Sequence, residues 1–227
     1  MPTTAPSVPP TIPHAAQAAA RAWPDAPAVI EDGVVTTFAA LWVECRAAAA
    51  ALLARGVGVG DRVAVWAPNR REWIAAAVGA MALGAAVVPL NTRLKGREAG
   101  DILRRTRARV LFTVSDFLGI DYRQLLADEA LPDLTSNLLL DSDWSAFLAG
   151  GAAVDPARID AALAAIGPDT VSDILFTSGT TGSPKGVLMT HGRVLPQCAV
   201  WIGNTGLAAG ERYLIANPFF HSFGMKV

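Results

Sequence analysis

Two cysteines among 227 residues, Cys45 and Cys198, stand too far apart for a metal-ligand spacing. That excludes a disulfide framework and a zinc module, and we read both as reduced thiols of a cytoplasmic protein. Net charge is nearly absent: 19 Lys and Arg oppose 20 Asp and Glu, leaving −1. Nothing therefore draws the chain toward nucleic acid or an anionic membrane surface, and no nucleic-acid partner is expected. Lysine is scarce, with Lys95, Lys185 and Lys226 the only three against an abundance of arginine. The opening stretch, Met1 to Pro13, has neither a basic nor an apolar secretory region and reads as a flexible leader to a domain over 14–227. Glycine and proline follow no period, which excludes a collagen-like chain. One long uncharged run exists, Ile74 to Leu90, but Gly79, Gly84 and Pro89 interrupt it. It lies at the short end of spanning length and reads as a buried helix followed by a buried strand, so no integral membrane segment is expected.

What is present is a core-forming chain, 52% hydrophobic and 17% charged. It is long enough to bury a sizeable interior and too apolar to be disordered. Ala28–Ile30 and Val34–Thr36 flank Glu31-Asp32-Gly33 and predict a hairpin. Thr37 caps a helix from Phe38 to about Arg55, and Gly56-Val57-Gly58-Val59-Gly60 stops it. Strands follow at Arg62–Ala67, Ala85–Leu90, Val110–Val114, Leu138–Leu140, Val171–Phe176 and Tyr213–Ala216. Helices are expected at Arg70–Leu83, Lys95–Ala108, Asp121–Ala130 and Asp155–Ile166, with Ala149–Asp155 a surface linker. Strands alternating with helices of this length predict an α/β fold, a mostly parallel sheet flanked by helices.

The segment with chemistry in it is Thr177-Ser178-Gly179-Thr180-Thr181-Gly182-Ser183-Pro184-Lys185-Gly186, which leaves an apolar strand and runs into apolar Val187-Leu188-Met189. Five hydroxyls fall within seven residues, three glycines let backbone N–H groups approach an anion, and Lys185 adds a full positive charge. That combination suits a polyphosphate better than an ordinary polar turn. A Walker loop is excluded, because Pro184 precedes Lys185 and Gly186 follows it. The Gly56–Gly60 run is no dinucleotide motif either, since it follows a helix and precedes a strand.

Thr177 to Gly186 resembles the signature phosphate loop of the adenylate-forming superfamily, which includes acyl-CoA synthetases, adenylation domains and firefly-type luciferases. Three further stretches are similar to family motifs: Thr36-Thr37-Phe38 through Leu41, Met81 through Asn91 with its Val-Pro-Leu, and Asn217-Pro218-Phe219-Phe220-His221-Ser222-Phe223-Gly224. The resemblance implies two half-reactions. A carboxylate attacks the α-phosphorus of Mg-ATP, releasing pyrophosphate, and the thiol of coenzyme A then displaces AMP to give a thioester. It implies that Thr177, Ser178, Gly179, Thr180, Thr181 and Gly182 hold phosphate with Lys185 in support, and that Thr177 also approaches Mg²⁺. It further implies that His221 is catalytic, that Ser222 lies beside the α-phosphate, and that Phe219, Phe220 and Phe223 shape the acyl pocket or its gate.

The Phe-Phe-His-Ser-Phe-Gly variant resembles bacterial fatty-acyl or steroid-catabolite CoA synthetases. His14 and His191 have no sequence neighbours that suggest catalysis, and Trp201 and Cys198 read as packing residues. The family's downstream carboxylate for Mg²⁺, ribose-binding Asp, hinge and lid with its catalytic lysine have no counterpart before Val227. The expectation is therefore an incomplete N-terminal domain: a ligase in the intact protein, or alternatively an inactive nucleotide-binding fragment. A sheet edge and apolar surface left uncovered would invite association.

Overall fold

The computed structural model describes residues 8–177 and 184–226. The chain order is α1 (Ile12–Ala22), β1 (Pro27–Glu31), β2 (Val34–Thr37), α2 (Phe38–Ala54), β3 (Arg62–Val65), α3 (Arg71–Ala82), β4 (Ala86–Pro89), α4 (Gly96–Thr106) and β5 (Val110–Thr113). It continues with α5 (Tyr122–Leu125), β6 (Ser136–Leu139), α6 (Trp144–Ala149), α7 (Pro156–Ala165), β7 (Val171–Thr177), β8 (Lys185–Thr190), α8 (His191–Thr205) and α9 (Ser222–Lys226). β1 and β2 form the expected antiparallel hairpin. The other six strands form one sheet in the order β6-β5-β3-β4-β7-β8, parallel except for the β7–β8 pair.

The α/β expectation therefore holds, and the reason is visible in the strands. Val63–Val65, Ala86–Pro89 and Val110–Thr113 are buried along their whole length, as strands covered on both faces must be. The uncharged run from Ile74 to Leu90 becomes most of α3 and all of β4, and no described helix is long and apolar enough to cross a membrane. α3 lies tightly on α2, because Gly79 has no Cβ; one added there would stand 2.8 Å from the Cys45 carbonyl oxygen. Phe112, Trp144 and Phe147 pack edge-on or tilted with ring centroids 5.1–6.0 Å apart beneath the β5–β6 side. Each such buried side chain contributes on the order of 1.5–3 kcal/mol.

Three expectations need correction. The leader does not extend to Pro13: Thr11 is fully buried, its hydroxyl caps α1 by accepting from the His14 N–H, and Pro13 is buried. The helix expected over Asp121–Ala130 is regular only at Tyr122–Leu125. Beyond that the chain tightens into i→i+3 turns, ending where Glu129 reaches back to Arg104 of α4 at 2.6 Å. Tyr213–Ala216 is not a strand: it pairs with none of the described strands, and Leu214 is 86% exposed. Its apolar pattern alone could not supply a neighbour with free backbone groups. The helix α6 has no counterpart in the sequence reading, because it is little more than one turn.

Candidate functional site

Successive loops gather at the C-terminal ends of the parallel strands. After β3 the chain runs on to β4, whereas after β5 it runs to β6 on the opposite side, and β3 and β5 are neighbours. Diverging connections open a crevice at this point of a sheet. Asn69 stands at the crevice, on the loop after β3. Its Nδ2 donates to the Asn217 carbonyl at 2.9 Å, and its Oδ1 accepts from the Phe219 N–H at 2.7 Å. One side chain thus holds the start of the aromatic–His segment by two backbone bonds. Nothing local in the sequence signals its reach across 148 residues.

The segment then turns sharply. The His221 N–H donates to the Pro218 carbonyl at 3.0 Å and the Met225 N–H to the His221 carbonyl at 3.0 Å. Gly224 closes the turn: a Cβ there would collide with the Pro218 carbonyl and lie 2.6 Å from that of Asn217. This geometry sends the predicted aromatic residues in different directions. Phe219 is buried against Trp73 with ring centroids 5.3 Å apart. Phe220 and His221 open instead onto a cavity of about 720 Å³ lined by Asn91, Thr92, Arg93 and the Phe117–Ile120 loop. Phe223 and Ser222 face a separate cavity of about 420 Å³, together with Thr177.

The loop that leaves β4 and forms a wall of the 720 Å³ cavity is itself fixed. Trp66 Nε1 donates to the Asn91 carbonyl at 2.9 Å, Tyr122 Oη donates to the Thr92 carbonyl at 3.1 Å, and the two buried rings stack at 4.3 Å. Buried indole and phenol groups find partners in this way, and here the partners are the backbone beside His221.

Thr177 is the last residue of β7 and faces Lys185, the first of β8, across an antiparallel pair. Between these two strands the chain carries the glycine-rich segment, of which Ser178, Gly179, Thr180, Thr181, Gly182 and Ser183 lie outside the described residues. Arg105 of α4 anchors the returning limb. Its Nη1 donates to the Pro184 carbonyl at 2.8 Å and its guanidinium sits 5.1 Å over the Phe176 ring. That role, too, was invisible in the sequence.

Beneath Thr177, β7 carries Asp173, which is wholly buried. Lys226 Nζ lies 3.0 Å from Asp173 Oδ1, and the Ser172 hydroxyl donates to Asp173 Oδ2 at 2.7 Å. Cys198 Sγ donates to the Lys226 carbonyl at 2.7 Å, and Trp201 packs edge-on against Tyr213 and Phe223. Burial, with Glu44 beside it, pushes the Cys45 thiol up to about 12, and burial also raises that of Cys198. Neither thiol is poised as a nucleophile.

No group of three or more His, Cys, Asp or Glu side chains that could hold a metal ion occurs among the described residues. Mg²⁺ wants several oxygen ligands, carboxylates among them. Thr177 offers one hydroxyl, while the carboxylate of Asp173, four residues earlier on β7, is wholly buried and paired with Lys226. The described residues do not by themselves fit a resident Mg²⁺.

A family model described as "AMP-binding enzyme" matches residues 16–227. The chain is 45% identical over 221 residues to a 3-[(3aS,4S,7aS)-7a-methyl-1,5-dioxo-octahydro-1H-inden-4-yl]propanoyl:CoA ligase of Mycobacterium tuberculosis, covering 95% of this chain and 43% of that protein. It is 40% identical to the Rhodococcus jostii ligase of the same name, covering 96% of this chain and 45% of that one. Among solved structures, the N-terminal domain of FACL13 from M. tuberculosis superimposes with a TM-score of 0.78 at 31% identity, over 95% of this chain and 54% of that one. The chain thus spans less than half the length of these two curated relatives. On the match across 16–227 and the shared sheet, the chain belongs to the AMP-binding enzyme family.

Proposed function

We propose that this chain supplies the nucleotide- and acyl-facing part of an acid–thiol ligase. In that reaction a carboxylate oxygen attacks the α-phosphorus of ATP, the bond to the bridging oxygen of pyrophosphate breaks, and an acyl-adenylate forms. The sulfur of coenzyme A then attacks the acyl carbon and AMP leaves, giving the thioester. The acid is of the fatty-acyl or steroid-catabolite type, in keeping with the names of the relatives. The observation that carries the reading is the meeting of Thr177, at the start of the glycine-rich segment, with Ser222 and Phe223 in one cavity. Adenylation must bring an acid to a polyanion, so donors and cations have to surround the phosphates. In this reading Thr177, Ser178, Thr180 and Thr181 give hydroxyls, Gly179 and Gly182 give backbone N–H groups, and Lys185 gives charge. Ser222 faces the α-phosphate, His221 orients the carboxylate across the turn, and Phe220 and Phe223 shape the acyl path, while Phe219, buried against Trp73, anchors the turn and does not line it. Mg²⁺ arrives with the nucleotide, and no step here is assigned to it.

Two observations bear on the alternatives. The glycine-rich segment joins two antiparallel strands, whereas a Walker loop joins a strand to a helix; this argues against a γ-phosphate transferase. Two free cysteines accord with a cytoplasmic setting. The test is carboxylate-dependent exchange of pyrophosphate into ATP by the whole protein. Lys185→Ala should cost about 1.5–3 kcal/mol of transition-state binding, read as a loss of roughly 10- to 150-fold in kcat/KM. Unchanged exchange would remove Lys185 from the phosphate site, and γ-phosphate transfer in place of pyrophosphate release would replace the reading. We further propose that residues 14–227 taken alone bind nucleotide without completing the reaction. Exchange by the purified 227-residue chain would overturn that.

A further inference from the structure

The loop Trp66-Ala67-Pro68-Asn69, which leaves β3, reaches both walls of the 720 Å³ cavity. Trp66 is wholly buried and donates from Nε1 to the Asn91 carbonyl on one wall. Asn69, three positions on, holds the other wall by the Asn217 carbonyl and the Phe219 N–H. These two bonds straddle Pro218, whose ring fixes its own φ and whose carbonyl accepts from the His221 N–H. Trp73, in the first turn of α3, adds the contact with the Phe219 ring. The backbone that carries His221 is thus tied to the end of β3 by two hydrogen bonds and a ring contact. His221 itself opens onto the cavity; its Nδ1 faces the Phe223 N–H at 3.5 Å, and its Nε2 has no partner among the described residues. The ring's one such contact lies within its own turn, so where the turn goes the ring goes.

We propose that Asn69 is a positioning residue for the adenylation step, acting through His221. Its amide is occupied by the backbone of the turn, so it acts by fixing where the imidazole stands against the opposite wall. The inference rests on the reading of His221 as the group that orients the carboxylate. Reacting groups must be closely aligned, and a misplacement of about 1 Å can cost on the order of 100-fold in rate. Alanine at position 69 leaves the Phe219 N–H and the Asn217 carbonyl without this partner and loosens the turn. Phosphate binding is assigned to the segment between β7 and β8, to which Asn69 makes no hydrogen bond among the described residues. The turnover should therefore suffer while the affinity for ATP is kept.

The experiment measures carboxylate-dependent pyrophosphate exchange by the whole protein and by its variants Asn69→Ala, Asn69→Asp, His221→Ala and the double variant Asn69→Ala with His221→Ala. Asn69→Ala should lower kcat by on the order of 10- to 100-fold and leave KM for ATP within about twofold. Asn69→Asp keeps an acceptor for the Phe219 N–H and loses the donor to Asn217, so it should recover part of the rate. In the His221→Ala background Asn69→Ala should cost no more than about twofold, because a residue that acts through another then has nothing to act on. Where His221→Ala leaves too little exchange to follow, His221→Asn serves as the background. Three results overturn the inference and leave His221 in its role: an unchanged kcat in Asn69→Ala, a loss carried by KM for ATP, or losses that multiply in the double variant. Loss of the wild-type circular-dichroism spectrum in both Asn69 variants assigns the residue to folding and likewise overturns it. Full exchange by His221→Ala removes His221 from the reaction, and this inference with it. Absence of exchange in the wild type defeats the acid-activating reading and everything resting on it.

Discussion

His191 is a residue whose chemistry its surroundings change. It is completely buried at the start of α8, and its Nδ1 accepts from the Ile12 N–H at 3.3 Å, tying α1 to the far end of the chain. Burial, and then the charge of nearby His14, lower its pKa from 6.5 to about 4. The folded state therefore prefers the neutral ring, and between those two values the unfolded state binds the extra proton. This contribution is complete above pH 6.5 and is lost as pH falls toward 4, at no more than about 1.4 kcal/mol per pH unit. Urea unfolding midpoints measured from pH 8 to pH 4.5 should fall on the acid side, and His191→Gln should flatten that part of the curve. A midpoint as acid-sensitive in the variant as in the wild type would assign the effect to other groups. Cys45 offers a second check at this scale, because its thiol is pushed up to about 12 in the core. Iodoacetamide followed by mass spectrometry should label Cys198 in the folded chain and Cys45 only after unfolding; early labelling of Cys45 would contradict its burial.

Among the elements, the turn from Asn217 to Lys226 shows how far a motif can be read. Its residue types and its place after the glycine-rich loop were legible in the sequence, because both are local. The direction of each side chain was not, since Asn69, Trp73 and Gly224 set it, and two of these are some 150 positions away. Asn69→Ala removes two hydrogen bonds, each worth about 0.5–1.5 kcal/mol. Amide hydrogen exchange should show the Phe219 N–H losing protection while β3 and β4 keep theirs; equal loss throughout would mean that Asn69 supports the fold and not the turn. The strand expected at Tyr213–Ala216 failed for a related reason: strand-like composition needs a partner edge, and none of the described strands provides one. By contrast Thr37 capped α2 as read, its hydroxyl accepting from the Ala40 N–H at 3.2 Å, because a cap acts within one turn.

At the scale of the whole molecule, the sheet ends on β8, whose Val187 and Leu188 are exposed at 43% and 62%. An apolar edge strand is a template for further pairing. The purified 227-residue chain should associate with rising concentration, and Leu188→Lys should hold it as a monomer at concentrations where the wild type does not. Light scattering coupled to size exclusion measures both, and a monomeric wild type throughout would remove β8 as an association edge.

The sequence by itself determined the alternation of helices and strands, the burial of β3, β4 and β5, and the phosphate-suited chemistry of the Thr177–Gly186 segment. Each of these follows from periodicity or residue type within about a dozen positions, where backbone geometry and hydrophobic burial act. Only the tertiary structure decided that Asn69 holds the aromatic–His turn, that His221 and Ser222 face different cavities, and that Lys226 meets Asp173 across 53 residues. Those are meetings of side chains carried by separate strands and loops, and they exist only once the sheet has fixed where each strand ends.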